Sequence, residues 1–374
     1  MNSKALYIHI PFCSHICTYC DFYKMRAKDG VKDEYITVLI DELIMKKGLY
    51  QFIETIYIGG GTPSNLSLAN LKRLLDAITH WIDTTHVIEW TIEMNPQDVS
   101  REMVDLFVKY GVNRISLGVQ SFDEDRLHQL GRTHTREDIK RAICLIHDSG
   151  IRNVSADLIY GLPQDTVKVI KRDLIQLINL GFTHISPYTL ILEERTILYH
   201  HYLAGDFLPL SDEGEASIYA FIQRFLKTYG YIQYEVSNFA RQGYESKHNL
   251  TYWKNETYVG LGASASYYID GVRYTNVKNL KKYMDGVRSG HLLFEEELVL
   301  TPLEQMQEEM ILGLRLVSGI NLAGFLTKFG LALMEAFPNV SSLLDQGLLQ
   351  IKHGFLSIPA NKIYVSNTIL INFI

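Results

Sequence analysis

Ala5-Leu6-Tyr7-Ile8-His9-Ile10-Pro11-Phe12-Cys13-Ser14-His15-Ile16-Cys17-Thr18-Tyr19-Cys20-Asp21-Phe22 decides how the chain is read. The apolar run Ala5 to Ile10 reads as a buried strand and Pro11 breaks it. Three of the chain's four cysteines follow, in the spacing C-x3-C-x2-C. Three thiolates on one short loop can each hold one iron of a four-iron, four-sulfur cube, because soft sulfur ligands suit such clusters. The fourth iron then has no cysteine, and a small molecule with an amine and a carboxylate can chelate there. Spacing alone also fits a four-coordinate zinc site completed by His15, His9 or Asp21, or three unrelated core thiols.

The chain has 374 residues, 47% hydrophobic and 21% charged, with a formal net charge of -6. That is long enough for one large domain with an appendage, or for two domains. With no basic footprint, nucleic acid is not expected as a partner. The pairs Lys46-Lys47 and Lys281-Lys282 read as solvated helix faces. Met1-Asn2-Ser3-Lys4 lacks the charged and apolar regions of a secretory leader. No stretch approaches the roughly 18 apolar residues of a membrane span, so no transmembrane segment is expected, while transient membrane association stays open. Clustered cysteines without a disulfide framework point to a reducing, cytoplasmic setting.

From residue 5 to about 190 an apolar strand, a loop of unusual residues and an amphipathic helix recur. Strands are expected at Ala5–Ile10, Thr55–Ile58, Ile88–Met94, Asn113–Gly118, Val154–Ile159 and Thr183–Leu190. Helical stripes such as Leu71, Leu74, Leu75 and Ile78 lie between them, opened by caps at Ser67, Ser100 and Thr135…Asp138. Six such units predict an α/β fold, a partial (β/α)6 barrel. In that fold chemistry gathers where the strands end, and the unusual residues fall there. Gly59-Gly60-Gly61-Thr62 follows the second strand, suited to close ligand approach or to a tight turn. Glu93 ends the third, as an acceptor for an amine or ribose or as a cap. Gln120 and Arg132 follow the fourth, an amide and a planar fork suited to a carboxylate. Asp157 lies at the end of the fifth. One ligand carrying an amine, a carboxylate and a ribose beside an iron–sulfur cube is S-adenosylmethionine.

The cysteine loop and the glycine loop together resemble the radical S-adenosylmethionine superfamily. Gly111-Val112-Asn113-Arg114-Ile115-Ser116, Gly118–Phe122 and Asp157–Pro163 are similar to its coproporphyrinogen-dehydrogenase-like branch. The resemblance implies that Cys13, Cys17 and Cys20 hold a [4Fe-4S] cluster. It implies S-adenosylmethionine contacts from Tyr7, Tyr19, Gly60, Gly61, Thr62, Glu93, Gln120, Arg132 and Asp157. Within the branch, the dehydrogenases usually carry an extension before the cluster loop and a further cysteine where this chain has Phe22. The short start, Phe22 and the hexad His248-Asn249-Leu250-Thr251-Tyr252-Trp253 resemble instead the HemW-type haem chaperones. One departure is Asp165, where the family usually has glutamine. The resemblance implies haem binding, with His248, Tyr252 and Trp253 as candidate contacts, and as partners acceptor haemoproteins and an electron donor for the cluster. A histidine beside buried aromatics is more often a hydrogen-bonded core residue. The rival readings are coproporphyrinogen III dehydrogenase and, less in keeping with the acidic balance, a radical enzyme acting on tRNA. Catalytic residues are not assigned.

The expected organisation is a barrel over 1–190, an extension carrying the hexad over 191–300, and a small helical, winged-helix-like C-terminal module over 301–374. Gly260-Leu261-Gly262-Ala263-Ser264-Ala265 superficially matches a dinucleotide turn but has no βαβ context, and is expected to be a packing turn.

Overall fold

The computed structural model describes residues 3–374. Met1 and Asn2, half of the stretch read as leaderless, lie outside the described residues. Six strands occur where the periodicity places them: β1 (Ala5–Ile10), β2 (Thr55–Gly60), β3 (Glu89–Met94), β4 (Arg114–Gln120), β5 (Asn153–Tyr160) and β6 (His184–Thr189). Each pairs in parallel with the next. Their near-continuous burial is what helices covering a parallel sheet require. The covering helices are α1 (Asp29–Met45), α2 (Leu68–Trp81), α3 (Arg101–Tyr110), α4 (Glu124–Gln129), α5 (Arg136–Asp148) and α6 (Val167–Asn179). α5 shows how sequence sets their ends. The Thr135 side chain accepts from the Asp138 amide and Asp138 reaches back to the Thr135 amide, a capping box worth about 1 kcal/mol. Ile139, Ala142, Ile143 and Ile146 then bury one stripe.

Beyond β6 come α7 (Ile197–Ala204), α8 (Asp212–Thr228), β7 (Ile232–Gln233), β8 (Phe239–Ala240), α9 (Lys247–Trp253), β9 (Tyr258–Leu261), β10 (Ser266–Ile269), β11 (Val272–Asn276), α10 (Leu280–Arg288) and β12 (Phe294–Val299). These strands extend the same sheet at both edges, in the order β12-β11-β10-β9-β1-β2-β3-β4-β5-β6-β8-β7. β9 turns straight into antiparallel β10 with no helix between, so the Gly260–Ala265 segment is a packing turn. The chain ends with α11 (Pro302–Gly313), β13 (Ile320–Asn321), α12 (Leu322–Phe329), α13 (Leu333–Ala336), α14 (Val340–Asp345), β14 (Gln350–Lys352), β15 (Phe355–Ser357) and α15 (Ser366–Leu370). Its three strands form a small separate sheet, β13-β15-β14. The fold is thus α/β, a mixed sheet with covering helices and a small helical and sheet-bearing C-terminal region. One apolar core runs through it from Leu6 to Phe373.

One surface reading needs correction. Lys46 is not solvated: it is buried and donates to Glu42 at 2.8 Å and to the Gly260 carbonyl at 2.8 Å. Glu42 also accepts from the Gly262 amide, Asn276 and Tyr283. The pair fastens α1 to the β9–β11 edge, which no local pattern reveals.

Parallel register stacks the inward residues in layers. Tyr7, Tyr57, Thr91 and Arg114 are neighbours in one layer; His9, Gly59, Glu93, Ser116, Ser155 and His184 form the layer above, towards the strand C-termini.

Candidate cluster and cofactor site

The cysteine loop closes on itself before it meets anything else. The Cys13 amide donates to the Met25 carbonyl at 2.9 Å and the Met25 amide to the Pro11 carbonyl at 2.7 Å. The glycine loop then packs against it, Gly61 and Thr62 donating to the carbonyls of Ile10 and Phe12 at 2.8 and 3.0 Å. A Cβ on Gly61 would lie 2.8 Å from the Pro11 carbonyl carbon, and one on Gly60, at φ +111°, 2.5 Å from the His9 ring. The glycines therefore let two backbones meet, and Gly60 and Gly61 also face the cavity.

That cavity, of about 150 Å³, is walled by Cys13, Cys17 and Cys20 together with Tyr19, Gly60, Gly61, Thr62, Glu93, Gln120, Arg132 and Asp157. Eight of the nine residues expected to contact S-adenosylmethionine are among these. Tyr7 stands behind, its hydroxyl bonded to His9 Nδ1 at 2.9 Å. Thr62 donates to Cys13 Sγ and Arg132 Nη1 to Cys17 Sγ, each at 3.4 Å. Burial pushes the Cys13 thiol up to about 11, so taking up a metal there releases a proton. Of the three residues offered to complete a zinc site, His9 and Asp21 are otherwise engaged, both His9 ring nitrogens being bonded, Nε2 to the Tyr23 carbonyl, and Asp21 pairing with Arg195, while His15 lines the cavity beside the cysteines. Among the described residues no three His, Cys, Asp or Glu side chains are gathered to hold a single metal ion.

Arg132 Nη2 donates to Asn95 Oδ1 at 2.6 Å and to the Gly118 carbonyl at 2.9 Å. Asn95 in turn donates to Thr62. Sequence reasoning passed over Asn95, whose only signal was its place after the third strand. Gln120 takes φ +61° at a shift of register in β4, which turns its amide inward. Glu93 accepts from the Tyr57 hydroxyl at 2.6 Å and the Gly60 amide at 3.0 Å, and burial raises its pKa.

Burial, with Glu93 nearby, pushes Asp157 up to about 7. An unfolded aspartate titrates near 4, so the folded chain holds this proton more tightly. Its stabilising contribution is full below about pH 4 and is lost as pH rises to about 7. Asp157→Asn, without S-adenosylmethionine, is expected to flatten the urea midpoint across that window and to exceed the parent chain's midpoint at pH 8. Parallel curves for the two chains would contradict this assignment.

Deeper along the sheet, towards the strand N-termini, the wall continues into a lumen of about 500 Å³. Tyr19, Cys20, Glu93, Ser116, Gln120 and Asp157 belong to both spaces, and Arg114, Ser155, His184, Tyr188 and Asn249 line the deeper one. Its far end is closed by α9, which carries the hexad. The Glu89 carboxylate, at the start of β3, accepts from the amides of Lys247 and His248 and from Ser246 Oγ, holding the helix N-terminus as a buried anion should. His248 is fully buried, with Nδ1 bonded to Thr55 Oγ1 at 2.9 Å, Nε2 to the Tyr252 hydroxyl at 2.7 Å, and its ring stacked on Tyr57. Burial pushes its pKa down to about 3, so the ring is neutral. Of the hexad, Asn249 reaches the lumen. Trp253 instead borders a separate cavity of about 720 Å³ near the C-terminal region, under the Arg315 guanidinium. The structure therefore gathers the cluster and S-adenosylmethionine candidates and places the three haem candidates outside that group.

The geometry has counterparts. Residues 7–175 match the profile of the radical SAM superfamily and residues 300–361 that of the HemN C-terminal domain. The chain is 40% identical over 350 residues to heme chaperone HemW of Bacillus subtilis, covering 92% of each chain. It belongs to the HemW family of radical SAM proteins. To heme chaperone HemW of Escherichia coli the identity is 37% over 292 residues, covering 75% of this chain and 76% of that one. Coproporphyrinogen III oxidase (HemN) of Escherichia coli superposes with a TM-score of 0.86 at 21% identity, over all of this chain and 90% of that one, which shows a shared fold.

Membership of the superfamily implies a [4Fe-4S] cluster and S-adenosylmethionine, and the residues fit both. Three soft donors share one wall of a cavity, and the opposite wall offers an arginine fork, an amide and two carboxyl groups. No helix among the described residues is long and apolar enough to cross a membrane.

Proposed function

We propose that the chain is a haem chaperone, carrying haem beside a [4Fe-4S] cluster and S-adenosylmethionine and passing it to acceptor haemoproteins. The 40% identity to the Bacillus subtilis heme chaperone, over 92% of each chain, carries this reading. Cys13, Cys17 and Cys20 would hold the cluster. Tyr19, Gly60, Gly61, Thr62, Glu93, Gln120, Arg132 and Asp157 would hold S-adenosylmethionine, with Tyr7 fixing His9 behind the glycine loop. When both are bound, a reduced cluster would supply the electron for reductive cleavage of the S-adenosylmethionine sulfonium. The chain's own part is to orient: Asn95 and the Gly118 carbonyl fix the Arg132 fork, and Tyr57 with the Gly60 amide fixes Glu93.

The lumen is where we place haem, at a size ordinary for ligand sites. Phe22, largely exposed at its mouth, adds an apolar flank. Direct contact from His248 to iron requires it to give up Thr55 or Tyr252, and contact from Tyr252 or Trp253 requires α9 to move. We assign the barrel at 1–190 to the cofactors, 191–300 to closing the lumen and 301–374 to docking. A reducing cytoplasm and an electron donor complete the proposal. Haem titrated into the anaerobically reconstituted chain is expected to give a Soret band that saturates near one equivalent. A featureless titration would reject the reading. Conversion of coproporphyrinogen III to protoporphyrinogen IX by the same material would replace it with the dehydrogenase.

A further inference from the structure

Charged groups drawn into a protein are normally answered by a partner. Lys46 has Glu42, Arg126 has Asp165 and Asp173, and Arg132 has Asn95, Cys17 and a carbonyl. Arg114 is the exception. It is 2% exposed, and among the described residues its one hydrogen bond is a 3.4 Å contact from Nη1 to Thr91 Oγ1. Its Nε is shielded from solvent and has no hydrogen-bond partner among the described residues. No carboxylate comes within ion-pair distance of it among the described residues.

Its position gives that unanswered fork a purpose. Arg114 opens β4 in the layer of Tyr57 and lines the floor of the lumen, one layer below Glu93 and directly above the plug formed by α9. Two carboxyl groups act on it only through space, Glu93 being held by Tyr57 and the Gly60 amide and Asp157 by Ser186, and both ring nitrogens of His184 are taken by Ser155 and Tyr234. A guanidinium presents a planar pair of donors matched to a carboxylate, which an ammonium does not. The sequence block Gly111–Ser116 thereby acquires a chemical role distinct from the rim that receives S-adenosylmethionine.

We propose that Arg114 anchors a carboxylate of the cargo that fills the lumen, a propionate where the cargo is haem. The identity of the cargo rests on the chaperone reading; the carboxylate anchor rests on Arg114 itself. The test is binding of haem, haem dimethyl ester and coproporphyrin III to the anaerobically reconstituted full chain and to its Arg114→Gln and Arg114→Lys variants. The native chain is expected to bind haem about tenfold tighter than the ester, a ratio near that of one charge-assisted hydrogen bond. Arg114→Gln is expected to bring the ratio close to one while leaving ester affinity near native, which also reports that the variant is folded. Arg114→Lys is expected to fall between, and it decides the matter should the glutamine variant not fold. A native ratio in either variant overturns the proposal. Failure of haem to bind while coproporphyrin III binds through Arg114 overturns the chaperone reading and leaves the anchor standing. Failure of every tetrapyrrole to bind the native chain overturns the anchor as well.

Discussion

Replacing Cys13, Cys17 or Cys20 with alanine is expected to abolish bound iron and acid-labile sulfide together, whereas Cys144→Ala is expected to retain both. The contrast follows from position. The first three side chains open into one cavity, while Cys144 is exposed on α5, away from it. A cube with a vertex left for S-adenosylmethionine has no spare protein ligand to lose. Two thiolates leave two irons open to solvent, and metal-site free energy falls with ligand count. Cys13→Ala carries a second cost, because the Thr62 hydroxyl loses its sulfur acceptor. Iron and sulfide assays after anaerobic reconstitution decide the outcome, and retention of a full complement in any of the three would contradict the assignment.

Arg126→Met is expected to be the most destabilising substitution near the rim, by about 3–5 kcal/mol, the usual cost of leaving a buried charge without its partner. Arg126 Nη1 donates to Asp173 at 2.6 Å and Nη2 to Asp165 at 3.1 Å and to the Ile159 carbonyl at 2.7 Å. All three charged groups are buried. Asp173 also accepts from Ser121 and the Phe122 amide, and Asp165 from the amides of Gly161 and Leu162. The network joins the loops after β4 and β5, and it lies on α4, which leads into Arg132. Losing the arginine strands two carboxylates in the core and loosens the S-adenosylmethionine side of the cavity. Urea unfolding at pH 7 reads the loss, and a midpoint matching the parent's would contradict it.

The same network shows where reading the sequence stopped. Asp165 was visible only as a departure from glutamine. In the folded chain it caps two backbone amides and answers Arg126, because α4, α6 and two strand ends meet there. Period and caps were sufficient for β1–β6 and for α5, whose local interactions agree with the tertiary fold. The two- to six-residue strands at the sheet edges carry too little alternation to announce themselves. At the site, the cysteines, the glycine loop and the rim residues were legible, since each sits just after a strand in a fold that collects chemistry there. Lys46, Asn95 and Arg114 were not, because what defines each is a partner, or the lack of one, on a distant segment. His248 was legible as a motif but not as a plug: its neighbours Thr55, Tyr57 and Glu89 come from strands over 150 residues earlier.

The cluster and S-adenosylmethionine assignment depends on the three sulfurs holding a cube and not a lone ion. The iron and acid-labile sulfide content of the anaerobically reconstituted native chain tests this directly. About four of each per chain is the predicted result. One zinc per chain, or iron without sulfide, would contradict the account.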